Sequence, residues 1–186
     1  MIIYYTDRFP GGSDESRRLL EKALSVHTGN REQAKILIRA LKKGEHGKPY
    51  IEGFSCFSIS HTGNIWAVLV AECECGLDIQ LYKKCDIRAI SERWFAPEDA
   101  ALMAAAPDED NDEMFFRIWT RREALVKTLG GTVYDPCLPA VSSGDLSANG
   151  SNYTIRDISF PEMPDLYAAV CFYNTGSPSE LNFIHL

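Results

Sequence analysis

The segment FSISHTG places four polar side chains within five residues. Ser58, Ser60, His61 and Thr62 precede a glycine-containing turn between two apolar runs. Hydroxyl groups, an imidazole and nearby backbone N–H groups together suit an anion or phosphate pocket. A histidine held by structural hydrogen bonds is the competing interpretation, and the segment alone does not decide between them.

A second cluster lies in the segment GLDIQ, which reads as a strand. Asp78 and Gln80 are two residues apart, so their side chains face the same side, while Leu77 and Ile79 face the core. This places the polar pair toward a cleft or solvent. A carboxylate in such a place can hold a metal ion, although an ordinary edge or turn residue is the simpler alternative.

The third cluster is the helical segment WTRREALVK. Trp119, Glu123 and Lys127 recur every four residues and therefore lie along one side of the helix. Glutamate followed by lysine four residues later is usually a solvated ion pair. Here the tryptophan on the same stripe indicates that this side is partly buried, and charges beside a buried indole require a function or a partner.

Together the three clusters could form one site for a diphosphate-bearing substrate. Asp78 and Glu123 could hold Mg²⁺, which favours one or two carboxylates together with phosphate oxygens and water. Lys127 could neutralise one phosphate oxygen, and His61 with Lys48 could hold another phosphate.

Composition excludes several other classes of protein. The chain has 186 residues, with 19 basic and 26 acidic side chains and a net charge of −7, which argues against a general nucleic-acid-binding surface. No window is apolar enough for a membrane span, and the first residues do not resemble an export signal. The six cysteines form no CxxC motif, and we expect them to be reduced, as in a cytoplasmic protein.

The elements that must position these clusters follow from the hydrophobic periodicity. Strands and helices do not alternate strictly, so the order predicts an α+β fold with largely antiparallel pairing. An acidic loop is expected at 107–113. Helices are predicted at 14–25, 31–43, 86–94, 97–106 and 112–129, and strands at 2–5, 54–60, 65–71, 73–80, 153–159, 166–173 and 181–186.

Four segments in order carry a family resemblance: GKP at 47–49, FSISHTG at 57–63, GLDI at 76–79 and WTRREALVK at 119–127. They resemble the signature regions of the 4′-phosphopantetheinyl transferases of the Sfp type. The resemblance implies two similar α+β halves that form a pseudo-dimer within one chain. We expect a trimmed N-terminal half on the coenzyme A side at 1–72, and a metal-binding and catalytic half at 73–186.

The resemblance implies an enzyme that transfers the phosphopantetheine arm of coenzyme A to a serine of an acyl or peptidyl carrier protein, and releases adenosine 3′,5′-bisphosphate. Asp78 and Glu123 match its metal-binding carboxylates, for Mg²⁺ with Mn²⁺ as a possible substitute. Lys127 matches the lysine that contacts the transferred phosphate. Glu123, directly or through a water, is the predicted base for the serine proton.

Coenzyme A would lie along other matched residues. Ser60 and His61 match the segment that holds its 3′-phosphate, and Lys48 with Pro49 match the stretch along its adenine. Arg31, early in a predicted helix, is a weaker candidate for the same phosphate.

The chain departs from the family pattern at two positions. Gln80 stands where the pattern has a second acid, which removes one negative charge and leaves an amide oxygen or a water as the metal ligand. Arg122 stands where the pattern has lysine, so the charge is kept without the geometry. One alternative is a catalytically degenerate protein that still binds coenzyme A or a carrier protein. A weaker one is an unrelated metal-dependent phosphodiesterase.

The acidic helix of a carrier protein would be repelled by a chain of net charge −7 unless a local basic face receives it. Seven basic residues are candidates for this face, and scattered charges that serve only solubility are the alternative. The chain is expected to act as a monomer. The basic candidates are Lys83, Lys84, Arg88, Arg93, Arg117, Arg121 and Arg122.

Overall fold

Two four-stranded sheets face each other, and helices cover their outer faces. The structure is a computed structural model that describes residues 1–44, 46–135, 137–174 and 180–186. The helices are α1 Ser13–Thr28, α2 Arg31–Arg39, α3 Ile87–Trp94, α4 Pro97–Ala105 and α5 Asn111–Leu129. The strands are β1 Ile2–Thr6, β2 Lys42–Lys43, β3 Pro49–Tyr50, β4 Cys56–Thr62, β5 Ile65–Ala71, β6 Cys75–Leu81, β7 Asp145–Ala148, β8 Ser151–Asp157, β9 Leu166–Tyr173 and β10 Asn182–His185.

The first sheet has the strand order β10-β1-β5-β4, and the second has the order β6-β9-β8-β7. All pairs are antiparallel except β1 with β10, which run parallel. Strands β2 and β3 form a separate two-stranded ribbon. In consequence β4 and β6, the two strands that carry candidate site residues, are each at the edge of a sheet.

Three apolar clusters hold these layers together. Residues on the inner faces of both sheets, such as Leu69 and Leu77, form the central cluster. Helices α1 and α2 bury Leu24 and Ile38 against the outer face of the first sheet. Helix α5 buries Ile118 against the outer face of the second sheet. The result is a four-layer arrangement of helix, sheet, sheet and helix.

The predicted α+β class is confirmed, and most elements lie where the periodicity placed them. Helix α2 is shorter than predicted, because Lys42 and Lys43 leave the helix and pair with β3. The predicted acidic loop is only partly a loop, since Asp108–Asp110 form a 3-10 turn and α5 begins at Asn111. Strand β7 was not predicted.

The connection between β5 and β6 marks the change from the first sheet to the second. It falls close to the predicted division into 1–72 and 73–186, which we retain as a proposal. Strand β10 returns to the first sheet and pairs with β1, so sheet membership does not follow chain order to the end. Among the described residues, no helix is long and apolar enough to cross a membrane.

Candidate active site

A glycine allows strand β6 and helix α5 to lie in direct contact. A Cβ atom added to Gly76 would overlap the carbonyl of Ala124 and would lie 2.7 Å from the backbone nitrogen of Thr128. Real Cβ atoms essentially never approach so closely. Gly76 therefore sets the distance between the strand that carries Asp78 and the helix that carries Glu123 and Lys127.

Asp78 is the centre of a hydrogen-bonded cluster that joins β4, β6 and α5. Its Oδ1 accepts hydrogen bonds from Ser60 Oγ at 2.9 Å and from Lys127 Nζ at 2.8 Å. Lys127 Nζ also donates to Ser60 Oγ at 2.9 Å. The side chain of Asp78 is 9% exposed and that of Lys127 is 28% exposed, so the ion pair is largely shielded from solvent. Sequence reasoning expected Asp78 toward a cleft or solvent, whereas α5 covers it.

Glu123 lies near this cluster on the same helix. Burial, followed by the negative charge of Asp78, raises the pKa of its carboxyl to about 7, against the lowering effects of Lys127 and Arg122. No described residue donates a hydrogen bond to Glu123. A half-buried carboxylate with a second carboxylate beside it is typical of a site that receives a cation or transfers a proton.

The free carboxylate oxygens suit a divalent cation. Asp78 Oδ2 accepts no hydrogen bond from the described residues, and neither oxygen of Glu123 does. The one fully buried side-chain polar atom without a partner in the described part of the chain is Arg122 Nη1, so the free carboxylate oxygens still reach solvent. Hard oxygen donors with room for water match Mg²⁺. Among the described residues, no group of three or more His, Cys, Asp or Glu side chains is arranged to hold a metal ion.

Gln80 lies at the end of β6 with its amide already engaged. Its Nε2 donates to the Leu81 carbonyl at 2.7 Å and approaches Thr62 Oγ1 at 3.4 Å. Its Oε1 accepts no hydrogen bond from the described residues. The side chain also lines a cavity of about 220 Å³ that includes Trp119 and Phe115. Its predicted role as a metal ligand stays a prediction.

The hydroxyl groups of the FSISHTG segment form hydrogen bonds inside the protein, and the anion pocket that their grouping suggested stays a prediction. They alternate along β4 and point at β6, whose backbone N–H groups on that side have no strand partner. Each hydroxyl accepts one of these N–H groups, and we call the set the hydroxyl ladder. The ladder consists of Ser58 with Leu77 at 3.0 Å, Ser60 with Ile79 at 3.2 Å and Thr62 with Leu81 at 3.1 Å.

His61 faces away from the hydroxyl ladder, because neighbouring residues of a strand point to opposite sides. It is exposed, and its ring lies 5.2 Å from that of Phe9. The structure thus separates His61 from Ser60. The contact of both with one phosphate stays a prediction, and of the two side chains His61 is the one exposed to a ligand.

The remaining predicted coenzyme A residues lie outside the Asp78 cluster. Lys48 Nζ donates to the backbone carbonyls of Cys75 at 3.1 Å and Thr128 at 3.3 Å, and so connects the β2–β3 ribbon to the end of α5. Pro49 is half-buried in β3. Arg31 is exposed at the start of α2, and no described residue forms an ion pair with it.

Two arginines of the predicted basic face are buried. Arg121 binds Asp157 through Nε at 2.6 Å and Nη2 at 2.7 Å. Arg122 donates to the carbonyls of Val133 and Asp135, and burial lowers the pKa of its guanidinium. Both stabilise loops behind α5, so they are unavailable to a partner protein.

The other five basic candidates are exposed. Arg117 also binds Asp157, at 2.6 Å, and Arg88 pairs with Glu92. Arg93 lies over the ring of Trp94. Lys83 and Lys84 form no ion pair with the described residues, and they lie two and three residues after the end of β6. The predicted basic face is therefore reduced to the surface between β6 and α3.

The sequence of the second half decides the family. The profile of the 4′-phosphopantetheinyl transferase superfamily matches residues 74–171, which contain Asp78, Glu123 and Lys127. The chain belongs to this superfamily. The observed pair of sheet-and-helix units agrees with the α+β fold expected of it.

Individual transferases are similar over much of the chain. The 4′-phosphopantetheinyl transferase AcpT of Escherichia coli (strain K12) is 29% identical over 169 residues, which cover 89% of this chain and 79% of that protein. The transferase HetI of Nostoc sp. is 30% identical over 125 residues, or 66% of this chain and 52% of HetI. AcpT of Salmonella typhimurium is 36% identical over 109 residues, or 54% of this chain and 57% of that protein.

Proposed function

We propose that this protein transfers the 4′-phosphopantetheine arm of coenzyme A to a serine of an acyl or peptidyl carrier protein in a Mg²⁺-dependent reaction that releases adenosine 3′,5′-bisphosphate. Membership of the transferase superfamily and the similarity to AcpT support the reaction class. The observation that carries the proposal for this chain is the convergence of Asp78, Glu123 and Lys127 where α5 crosses β6.

Two carboxylates bind the cation and a lysine contacts the phosphate. Asp78 and Glu123 hold the cation through their free oxygens. When bound, a divalent cation supplies positive charge to the diphosphate oxygens. Lys127, whose ammonium lies on Asp78 in the structure, contacts the phosphate that is transferred and stabilises the charge that develops on its oxygens.

Glu123 is the proposed base for the serine hydroxyl. The serine Oγ forms a bond to the phosphorus that carries the pantetheine arm, and the bond from that phosphorus to the bridging oxygen breaks. The serine proton passes to Glu123, and the electron pair of the broken bond leaves with adenosine 3′,5′-bisphosphate. Glu123 accepts this proton directly or through a water.

The adenosine end of coenzyme A is proposed to contact four residues: His61, Lys48, Pro49 and Arg31. Of their side chains, those of His61 and Arg31 are the most exposed. Lys48 would have to exchange its bonds to two backbone carbonyls for bonds to the substrate. We therefore expect His61→Ala to raise the KM for coenzyme A more than Lys48→Ala does at equal stability.

Chromatography of the small-molecule products tests the reaction class. The protein is incubated with coenzyme A and Mg²⁺, with and without apo carrier proteins of both kinds. Adenosine 3′,5′-bisphosphate that forms only with a carrier supports transfer. Cleavage of coenzyme A without any carrier would indicate the phosphodiesterase alternative.

The degenerate alternative has one observation in its favour. Gln80 replaces an acid of the family pattern, and its amide nitrogen is bound to the Leu81 carbonyl. If coenzyme A binds by calorimetry and no product forms with any carrier, the protein is a binding protein. Gln80→Glu is then the variant that should gain activity, because it restores the missing charge.

We also propose that the protein acts as a cytoplasmic monomer. All six cysteines are free thiols, as expected in a reducing compartment. Light scattering coupled to size-exclusion chromatography tests the monomer, and a mass near twice 20.8 kDa would contradict it.

A further inference from the structure

The hydroxyl ladder contains two buried serines that differ in one respect. Ser58 and Ser60 are 2% and 5% exposed, lie on the same strand and each accept one backbone N–H group of β6. Only Ser60 also touches charged groups. Its Oγ donates to Asp78 Oδ1 and accepts from Lys127 Nζ.

The hydrogen-bonding capacity of Ser60 is completely used. A hydroxyl has one donor and two acceptor positions. Ser60 gives its proton to Asp78, and its lone pairs accept from Ile79 and Lys127. Because Ile79 is in the backbone of β6, the hydroxyl is fixed relative to the strand that carries Asp78. It therefore fixes the orientation of both charged side chains.

Orientation of Asp78 matters because its two oxygens have different surroundings. Two donors hold Oδ1, whereas Oδ2 has no donor among the described residues. Without Ser60 the carboxylate would keep only the flexible Lys127 as a partner and could rotate about its terminal bond. Hydrogen bonds that orient a metal-binding carboxylate commonly change metal affinity by about 10- to 100-fold.

We propose that Ser60 is a positioning residue, which holds Asp78 with one oxygen free for a cation and holds Lys127 beside it, while Ser58 only joins the two sheets. This inference rests on the proposed function for the identity of the cation site. It differs from the phosphate-binding role that the family resemblance implied for Ser60, because the hydroxyl has no free donor or acceptor for a phosphate.

Ser60→Ala and Ser58→Ala are a matched pair for the test. Each leaves one buried N–H group of β6 without its acceptor, and only Ser60→Ala also removes hydrogen bonds to Asp78 and Lys127. Mn²⁺ alone is titrated into each metal-free protein and followed by electron paramagnetic resonance. We expect the Kd for Mn²⁺ to rise about tenfold in Ser60→Ala and less than about twofold in Ser58→Ala, relative to wild type.

Ser60→Thr keeps the hydroxyl and provides the rescue. It should restore Mn²⁺ binding to within about threefold of wild type if the hydroxyl is what matters. Equal Kd values for Ser60→Ala and Ser58→Ala, or no Mn²⁺ binding by wild type, would overturn the inference. Failure of Ser60→Thr to bind better than Ser60→Ala, when both unfold at similar denaturant concentrations, would overturn it too.

Transfer is measured separately with the same variants, so that the two proposals can fail independently. We expect Ser60→Ala to lower kcat while leaving the KM for the carrier protein unchanged. A wild-type protein that transfers to no carrier but still shows the difference in Mn²⁺ binding would refute the proposed function and support this inference. Normal transfer by wild type, together with equal Mn²⁺ Kd values for Ser60→Ala and Ser58→Ala, would support the proposed function and refute this inference.

Discussion

Replacing Glu123 by glutamine should stabilise the metal-free protein in a pH-dependent way. The pKa of Glu123 rises from 4.5 to about 7 in the folded protein, mainly through burial and secondarily through the charge of Asp78. Above pH 7 the folded protein must hold this carboxylate ionised, whereas the unfolded chain ionises it at no cost. The contribution of Glu123 to the stability of the folded protein is thus fully present below pH 4.5 and is lost as pH rises through about 7.

The expected size of the effect follows from the difference of about 2.5 pH units between 7 and 4.5. One unit corresponds to about 1.4 kcal/mol, so Glu123→Gln should be about 3 kcal/mol more stable than wild type near pH 8.5. Near pH 5 the same linkage leaves a difference of less than about 1 kcal/mol. The loss of a catalytic group would accompany this gain in stability, as is common at functional sites.

Urea unfolding of wild type and Glu123→Gln at both pH values, in the presence of a chelator, measures the difference. Glu92→Gln on the exposed face of α3 is the control and should follow wild type at both pH values. Excess Mg²⁺ should reduce the difference in the free energy of unfolding near pH 8.5, because wild type is then stabilised by a bound cation and the variant binds that cation only weakly. If the difference in the free energy of unfolding does not grow between pH 5 and 8.5, burial and the charge of Asp78 do not destabilise the ionised form of Glu123, and the raised pKa is refuted.

Four further predictions follow from individual contacts. Lys127→Met should lower the transfer rate by about 100-fold or more, because the charge on the transferred phosphate loses its lysine. It should not weaken Mn²⁺ binding, since it removes a positive charge beside Asp78. A large rise in the Mn²⁺ Kd would mean that Lys127 supports the cation site instead. Gly76→Ala should lower the free energy of unfolding by about 3 kcal/mol or more, whereas Gly131→Ala, which meets nothing within 4 Å, should be near neutral in the same urea titration. Lys83→Glu with Lys84→Glu should raise the KM for an acidic carrier protein at low salt, and Lys22→Glu with Lys43→Glu, an equal change of net charge, should not. Equal KM values would contradict the basic surface between β6 and α3 as the place where the carrier protein binds. Partial burial lowers the pKa of His27, whose Nδ1 lies 3.0 Å from the Tyr4 hydroxyl, so the unfolded chain binds a proton before the folded protein does as pH falls. The stability advantage of wild type over His27→Gln should therefore shrink between about pH 7.5 and 5.5. A constant advantage would contradict the lowered pKa of this half-buried imidazole.

Much of the fold could be predicted because the hydrophobic periodicity and the composition of a segment are local properties of the sequence. The run from Ile65 to Ala71 is apolar throughout and forms a fully buried strand. The spacing of Trp119, Glu123 and Lys127 placed them on one side of α5, where they lie. The parallel pairing of β10 with β1 joins the two ends of the chain, and no local pattern carries that information.

The charged part of the candidate site was also within reach of the sequence. Asp78, Glu123 and Lys127 have the residue types that phosphate and metal chemistry require, and the structure brings them together. The contacts of the FSISHTG hydroxyls were not predicted, because a list of hydroxyl groups does not show which element they face. Their alternation along β4 is the signal that could have indicated the hydroxyl ladder, since every second residue of a strand points to the same side.

Arg121 and Arg122 show the limit of reading charge from sequence. Both lie in a segment of four charged or polar residues at 120–123, where solvent exposure is the ordinary expectation. They are buried because backbone carbonyls of the 133–142 region and the Asp157 carboxylate accept their N–H groups. Those acceptors are 11 to 36 residues away, so only the tertiary structure reveals them.

Intact-mass spectrometry of apo carrier proteins tests the central claim most directly. A panel of apo acyl and peptidyl carrier proteins is incubated with coenzyme A, Mg²⁺ and either wild type or Asp78→Asn, with a parallel chelator control. We predict that wild type adds about 340 Da to at least one carrier, one phosphopantetheine arm in place of the serine proton, and that Asp78→Asn and the chelator each abolish the gain by removing transition-state stabilisation. An unchanged carrier mass in every wild-type reaction, or an equal gain with Asp78→Asn, would contradict the account.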